Sequence, residues 1–497
     1  MSFGPPPSMY TQSSLAADQA RRRRRRRLVG GAVAVILVAA LCVAGRLLSS
    51  AGGDSGPAKG TEAAAPGPDS IRETVEKRPA SAAGRMAFRF SVDDLGPGES
   101  YDMPGMWATG KLLVKGINSS LAAFGIGKDA KPGEEAWKVK FPGLICGTTR
   151  HVTVDDRTAV LFRSGTDRHA VCDHVAFVDL DTGKKLWEAQ YKTTSTGADG
   201  DPMGVTLTRS TVTVSWGKGS GAWDMDSGKK LWESKRTGDC SDGGNAGGDG
   251  LLIRVDCWTK GTESWSYRVQ KVEPRTGKVL WTYNVADGVK DVGLLSAEPP
   301  VLATAAGDIG FTDLISLDHN GKYRATIRLE GGHYLAKCAD LGTYNGIDDC
   351  PGAVVGDGQV FLVSREDPDA GIEDNSNWII GFDLATGNTT KKFESGRSQL
   401  LYPLRMSGDR LLAFRSSADG IRPYALVSLD PGTGRETPYF YFGLPSDAQL
   451  LTDANLADVV VQNGRLFFGM KKASGPGGKG KHWIWLVLGV EAVRPGT

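Results

Sequence analysis

Three features of the sequence predict an all-β chain folded as an eight-bladed β-propeller behind a single N-terminal transmembrane helix. An acidic residue, a glycine four residues on and a tryptophan four residues further recur at Asp129/Gly133/Trp137, Asp179/Gly183/Trp187, Asp224/Gly228/Trp232 and Glu273/Gly277/Trp281. These glycines lie 50, 45 and 49 residues apart, the length of four short strands with their turns. Glycine makes up 66 of 497 residues, roughly twice the usual share, without a Gly-X-Y period, which fits many tight turns.

Residues 1–27 read as a disordered basic tail ending in seven consecutive arginines, Arg21–Arg27. Leu28–Gly45 then carries no charge, and with Leu47 and Leu48 it is long enough to cross a hydrocarbon core of about 30 Å as a helix. We assign the span to residues 28–48. Positive charge stays inside, so the tail is cytoplasmic and the rest of the chain lies outside a bacterial-type cytoplasmic membrane. The arginines read as a topology determinant on anionic lipid. Ser49-Ser50-Ala51 offers a signal-peptidase site, but the long charged leader and full-length apolar core favour a retained anchor. Leu41 before Cys42 departs from a lipobox. Residues 49–85, rich in Gly, Ala, Ser and Pro, read as a flexible linker to a propeller over 86–493.

Within the repeat, an apolar run such as Val175–Val178 is a strand, and Asp179-Leu-Asp-Thr-Gly183 a hairpin turn in which the carboxylate bonds turn amides and Gly supplies positive φ. Lys184-Lys-Leu-Trp-Glu188 begins the returning strand. Weaker copies stand at Asp383/Gly387 and Asp430/Gly434, and a shortened one at Asp318-His319-Asn320-Gly321. Last hairpins alone count seven blades, which remains the alternative. Strands at 459–461, 466–468 and 483–490 add an eighth blade lacking its outer strand. Met86–Val92 alternates like a strand with no local partner, so ring closure pairs it with the C-terminal strands.

Composition excludes other classes. With 40% hydrophobic and 23% charged residues, the chain is neither multi-pass nor a disordered polyelectrolyte. The formal charge of +2 divides into +6 over residues 1–45 and about −4 over the rest, so no nucleic-acid partner is expected. Beyond Cys42, six cysteines remain, an even number that suits an oxidising compartment. The repeat places consecutive cysteines in one unit, which predicts Cys146–Cys172, Cys240–Cys257 and Cys338–Cys350.

In the form Asp-x-x-Thr-Gly-Lys-x-x-Trp, the hairpin resembles the repeat of pyrroloquinoline-quinone (PQQ)-type propellers. That family includes quinoprotein alcohol dehydrogenases and the non-catalytic outer-membrane assembly lipoprotein BamB. The match is close in Phe177–Trp187, Trp223–Trp232 and Val272–Trp281, and looser over the rest of 86–493. The resemblance implies that each Trp packs between neighbouring blades and carries fold, not chemistry. A dehydrogenase of that family would use PQQ with calcium. Yet no two cysteines are adjacent here, the family's catalytic Asp and Glu/Asn/Asp calcium set find no matching motif, and no Cys-x-x-Cys-His haem site exists.

Other constellations read as structural. His169, Cys172 and His174, with Asp173, have zinc-ligand character, but Cys172 is expected in a disulfide. Asp367, Asp369, Glu373 and Asp374 lack the glycine and terminal Glu of a calcium loop, and read as a solvated loop; so does Asp239–Gly250. No Gly-x-Ser-x-Gly elbow or phosphate-cradling Gly-Lys-[Ser/Thr] loop is present. The sequence therefore points to a non-catalytic binding or scaffold module for an envelope protein or cell-wall polymer, anchored in lipid, with no cofactor expected. Segments 193–204, 239–250 and 364–378 would decorate its faces. A membrane-bound PQQ-dependent dehydrogenase is the alternative.

Overall fold

The computed structural model describes residues 67–494 apart from 128–132, 168–169, 193–203, 217–218, 235, 237, 262–263, 308–309, 330–332, 337–349, 366–374, 454–455 and 477–481. The basic tail and the apolar segment 28–48 lie outside the described residues, among which no helix is long and apolar enough to cross a membrane. Asp129, His169, Cys338 and the acidic loop at 367–374 also lie outside them.

Eight antiparallel blades follow one another, with their strands spanning 106–140, 145–190, 204–233, 240–284, 291–328, 334–394, 399–442 and, for the eighth, 457–492 together with 84–95. In blade 2 the order is Ile145–Thr148, Arg157–Arg163, Cys172–Asp179, Lys185–Gln190, each paired with the next. The first three strands are almost wholly buried. Ala159–Phe162 and Val175–Val178 are completely so, because both faces of an inner strand pack against other blades. The fourth strand, Lys185–Gln190, alternates between exposed and half-buried residues and forms the rim.

Blade 8 closes the ring as expected. Its first three strands, Ala457–Gln462, Arg465–Met470 and His482–Ala492, receive Gly84–Leu95 as the outer strand, with Gly84 opposite Ala492 and Val92 opposite Ile484. One apolar cluster containing Phe88, Phe124, Phe414, Phe468 and Val487 joins blades 7, 8 and 1. Burying each such side chain contributes about 2 kcal/mol, so closure needs no covalent link.

Two stretches differ from expectation. Asp239–Gly250 is not a solvated loop or a decoration: Cys240–Ala246 is the first strand of blade 4, with Asp242 and Asn245 completely buried. Glycine and polar residues are tolerated there because the strand's side chains meet polar neighbours. Asn245 donates to Ser215 Oγ at 3.0 Å, and Asp242 accepts from Ser234 Oγ at 2.6 Å.

The other is the last part of the linker. Residues 67–83 are extended and bound to the propeller as a strap. Val154 N donates to Ser70 O, and Arg72 N to Val152 O, in blade 2; Arg72 also pairs with Asp156 and reaches Ala108 O in blade 1. Thr74 and Glu76 contact Gln462–Gly464 of blade 8 and Arg405 of blade 7. The strap then leads outward, with Tyr441 N donating to Ala82 O, into the outer strand of blade 8. Its hold is mostly polar and backbone-mediated, which is why no apolar period marks it.

Candidate functional site

Hairpins joining first to second and, except in blade 8, third to fourth strands lie at one end of each blade, here the turn face. The remaining connections form the opposite, loop face. On the turn face the repeat residues make one lattice. Asp179 Oδ1 accepts the amides of Asp181 and Thr182 at 3.0 and 2.9 Å, while Gly183 N donates to Asp179 O. Gly183 has φ +71°, and a Cβ on it would lie 2.5 Å from the Trp137 ring of the preceding blade. Gly228 sits likewise on Trp187, Gly277 on Trp232 and Gly321 on Trp281.

Gly133 corrects the expectation that all four strong copies are alike. It keeps the left-handed backbone, at φ +86°, but an added Cβ would meet Arg89 O at 3.1 Å and no indole. The blade before it in the ring is the eighth, whose outer strand Gly84–Leu95 contains no tryptophan, so backbone stands where the other turns meet a ring. Its acidic partner Asp129 lies outside the described residues. Of the first copy, only Trp137 joins the lattice as the other copies do, by receiving Gly183.

Three tryptophans also bond into the next turn: Trp187 Nε1 to Met225 O, Trp232 Nε1 to Pro274 O and Trp281 Nε1 to His319 O, at 2.7, 2.7 and 2.9 Å. Each of these fastens its blade to the next, as the resemblance implied. Where Gly387 and Gly434 stand, the preceding blade offers no tryptophan, and only the turn geometry is kept. The acids of these turns are spent on the turns themselves. Hydrogen bonds from Thr433, then the Arg410 guanidinium, hold Asp430 down at about 2.

The cysteines are committed too. Cys146–Cys172 and Cys240–Cys257 are disulfides, and Cys350 is also disulfide-bonded, with Cys338 outside the described residues. Cys172 thus has no thiolate for zinc, and His174 Nδ1 lies 2.7 Å from Asp173 Oδ1. Among the described residues no three His, Cys, Asp or Glu converge as metal ligands.

Buried charge that sequence reasoning missed includes two clusters besides the Glu76–Arg405 pair of the strap. In blade 4, Arg254 bonds Asp256 at 2.9 Å and reaches Asp291 and Val292 O, while Asp242 accepts Arg236. Burial raises the Asp256 carboxyl, and Arg254 opposes this. Between blades 1 and 8, the completely buried Lys115 meets Asp458 at 2.9 Å; burial pushes its ammonium down and Asp458 pulls it back. His151, half-buried, is pushed down to about 3 by desolvation of its ring and stays neutral. Single charged residues within apolar runs give no sequence signal of their partners.

The loop face carries exposed apolar groups. In blade 4 the strands Leu251–Thr259 and Ser264–Val272 are nine residues each, longer than most, and Trp258 pairs with Trp265 near their tip. The two rings lie 5.1 Å apart, and Trp265 is 47% exposed. Cys240–Cys257 ties the first arm of this hairpin to the neighbouring strand Cys240–Ala246, and Arg268 Nη2 donates to both sulfurs at 3.3 and 2.8 Å.

No family model and no curated protein matches the chain. Solved structures similar to it include BamB from Moraxella catarrhalis (13% identity, 82% of this chain and 100% of that one, TM-score 0.40). A europium-containing methanol dehydrogenase (13%, 75% and 83%, 0.40) and the β-propeller domain of the Trilobed protease from Pyrococcus furiosus (12%, 70% and 100%, 0.40) are also similar. The eight blades and their tryptophan-docked hairpins define this chain's class as an eight-bladed β-propeller.

Proposed function

We propose that this protein is a membrane-anchored, extracytoplasmic propeller that acts as a non-catalytic binding module for an envelope protein or a cell-wall polymer. The observation that carries the reading is the blade 4 hairpin. It is long, tied by a disulfide to the neighbouring strand of its blade, and tipped by a paired, half-exposed tryptophan, the rigid aromatic anchor that dominates binding surfaces. The disulfides support an oxidising compartment, and the apolar segment 28–48 with its arginine flank supports the anchor. Tethering raises the effective concentration of a membrane-proximal partner.

The test places a photocrosslinker at the exposed Ser264, beside Trp265, in the full chain in native membranes, alongside cosedimentation with purified wall polymer. A defined adduct or polymer binding, lost in Trp265→Ala, is the expected result. Saturable tryptophan quenching by PQQ plus Ca²⁺ with alcohol-dependent dye reduction would replace this reading with an oxidoreductase.

A further inference from the structure

We propose that the junction of blades 3 and 4 is a built-in opening point of the ring, where the propeller parts locally while its other junctions stay shut. Those other junctions are filled by buried apolar clusters that take side chains from both blades. One cluster fills the two junctions on either side of blade 8, and five more fill one junction each. Val114 and Val160, for example, share the cluster of blades 1 and 2, and Val301 and Val360 that of blades 5 and 6. Between blades 3 and 4 the described residues form no such two-sided cluster. The buried apolar residues there are Leu251, Ile253, Val255 and Val272, all of blade 4, and blade 3 contributes only the half-buried Trp232.

The cause is one face of blade 3. In the strands Gly204–Thr208 and Thr211–Ser215, the side chains of Val205, Leu207, Val212 and Val214 pack with blade 2. Alternation turns Thr206, Thr208, Thr211, Thr213 and Ser215 toward blade 4, and each is at most 1% exposed. Two contacts fix this direction. Asn245 Nδ2 of blade 4 donates to Ser215 Oγ, and a Cβ on Gly247 would lie 2.3 Å from Thr206 Oγ1. Yet the hydroxyls of Thr208, Thr211 and Thr213, and Oδ1 of Asn245, find no hydrogen bond among the described residues. A buried polar group without a partner opposes closure, and four do so in the place where other junctions gain from apolar burial.

The strap adds no support at this junction. Its described part starts on blade 3, where Ser210 N donates to Asp69 O, and passes over blades 2, 1, 8 and 7 in the opposite sense. Apart from Asn245 and the covalent connection at 234–239, the described polar contacts across the junction gather on the turn face. Trp232 receives Gly277, Arg275 meets Asp224 at 3.0 Å, and Gly248 N donates to Leu207 O at 2.8 Å. These contacts act as the hinge, and opening draws the threonine face away from blade 4. The Trp258–Trp265 hairpin belongs to blade 4 and moves with it, whether or not that hairpin binds a partner.

The test is native-state labelling with iodoacetamide of the full chain in neutral detergent micelles, read for each cysteine by peptide mass spectrometry. Thr213→Cys reports the junction of blades 3 and 4. Ser316→Cys, equally buried and on the same face of its strand as Leu314, reports the apolar junction of blades 5 and 6. We expect Thr213→Cys to be labelled about tenfold faster or more below the unfolding transition, the two rates converging in urea as global unfolding takes over. Thr211→Val removes an unpaired hydroxyl at nearly constant shape, and should slow the labelling of Thr213→Cys by about threefold or more. Equal native rates for the two probes, or a Thr211→Val rate that is unchanged or faster, overturns the proposal. If Thr213→Cys melts earlier than Ser316→Cys, Thr208→Cys takes its place and must still be labelled faster than the blade 5 probe.

Discussion

Gly228→Ala separates two reasons for the glycine in the tryptophan-docked turns. Gly228 has φ +65°, and an added Cβ would lie 2.6 Å from Trp187 Cγ and 2.8 Å from Cδ2, inside any real carbon contact. Left-handed backbone costs an alanine about 1 kcal/mol. Crowding against a ring that is held by its own 2.7 Å bond to Met225 O adds about 1–3 kcal/mol, since the indole cannot retreat without breaking that bond. The sum is about 2–4 kcal/mol. Gly358 provides the internal standard, with φ +69° and nothing within 4 Å of an added Cβ, so Gly358→Ala costs only the first part. Urea unfolding followed by circular dichroism measures both. The double variant Gly228→Ala/Trp187→Leu should recover part of the loss, a coupling that a φ effect alone does not produce. Equal costs for the two single variants, within about 0.5 kcal/mol, together with zero coupling, would refute the claim that these glycines are selected by the neighbouring tryptophan.

Three further outcomes follow from the same contacts. Asp430 is held at about 2 in the fold against about 3.9 in an unfolded chain, so its contribution is complete above pH 4 and disappears as pH falls toward 2; Asp430→Asn should flatten the acid limb of the urea midpoint between those values, and an unchanged slope would count against the turn assignment. Glu76→Ala strands the partly buried Arg405 and should destabilise the protein by roughly 3 kcal/mol while opening residues 67–83 to protease, read by mass spectrometry of the first cleavage products. Cys240–Cys257 is only half-buried and touched by Arg268, whereas Cys146 and Cys172 are 7% and 2% exposed, so graded dithiothreitol with thiol labelling should open the blade 4 disulfide first; simultaneous labelling would contradict this.

The ring was legible because its signals are local. An acid, a glycine and a tryptophan at fixed spacing fall within one hairpin, and in most copies the same nine-residue window also reports the contact with a neighbouring blade. Gly133 shows the limit of that inference. Its window reads like the others, yet its neighbour is the closing strand, which carries no repeat of its own. The unpartnered alternation of Met86–Val92 was enough to pair that strand with the C-terminal strands, and it lies opposite 484–490. Where repeat spacing slipped, as at Asp318–Gly321, the turn closes one residue sooner, with Gly321 N bonding Asp318 O. Legibility ended where partners are far apart in sequence and polar. Glu76 finds Arg405 across 329 residues and Lys115 finds Asp458 across 343, and no pattern announces either. Composition misled at Cys240–Ala246, since a Gly/Asp/Asn-rich stretch reads as loop unless its neighbours supply hydrogen bonds.

Most of the misses share a location. Gly133 abuts the closing strand, Lys115–Asp458 joins blade 1 to blade 8, and Glu76 ties the strap to blades 7 and 8. Glu491 joins the third strand of blade 8 through Arg465 and Arg85 to the second and fourth. Elsewhere a covalent turn holds neighbouring strands and, from blade 1 to blade 5, a tryptophan holds neighbouring blades, and apolar burial suffices except between blades 3 and 4. At the seam the turn is missing, so a register slip or loss of the outer strand has no covalent check. Charged groups supply that check: a buried ion pair adds little net stability over an apolar pair, but a mismatched partner leaves an uncompensated charge and is strongly disfavoured. Specificity of closure is thus carried by ionic contacts in the blade that chain connectivity leaves open.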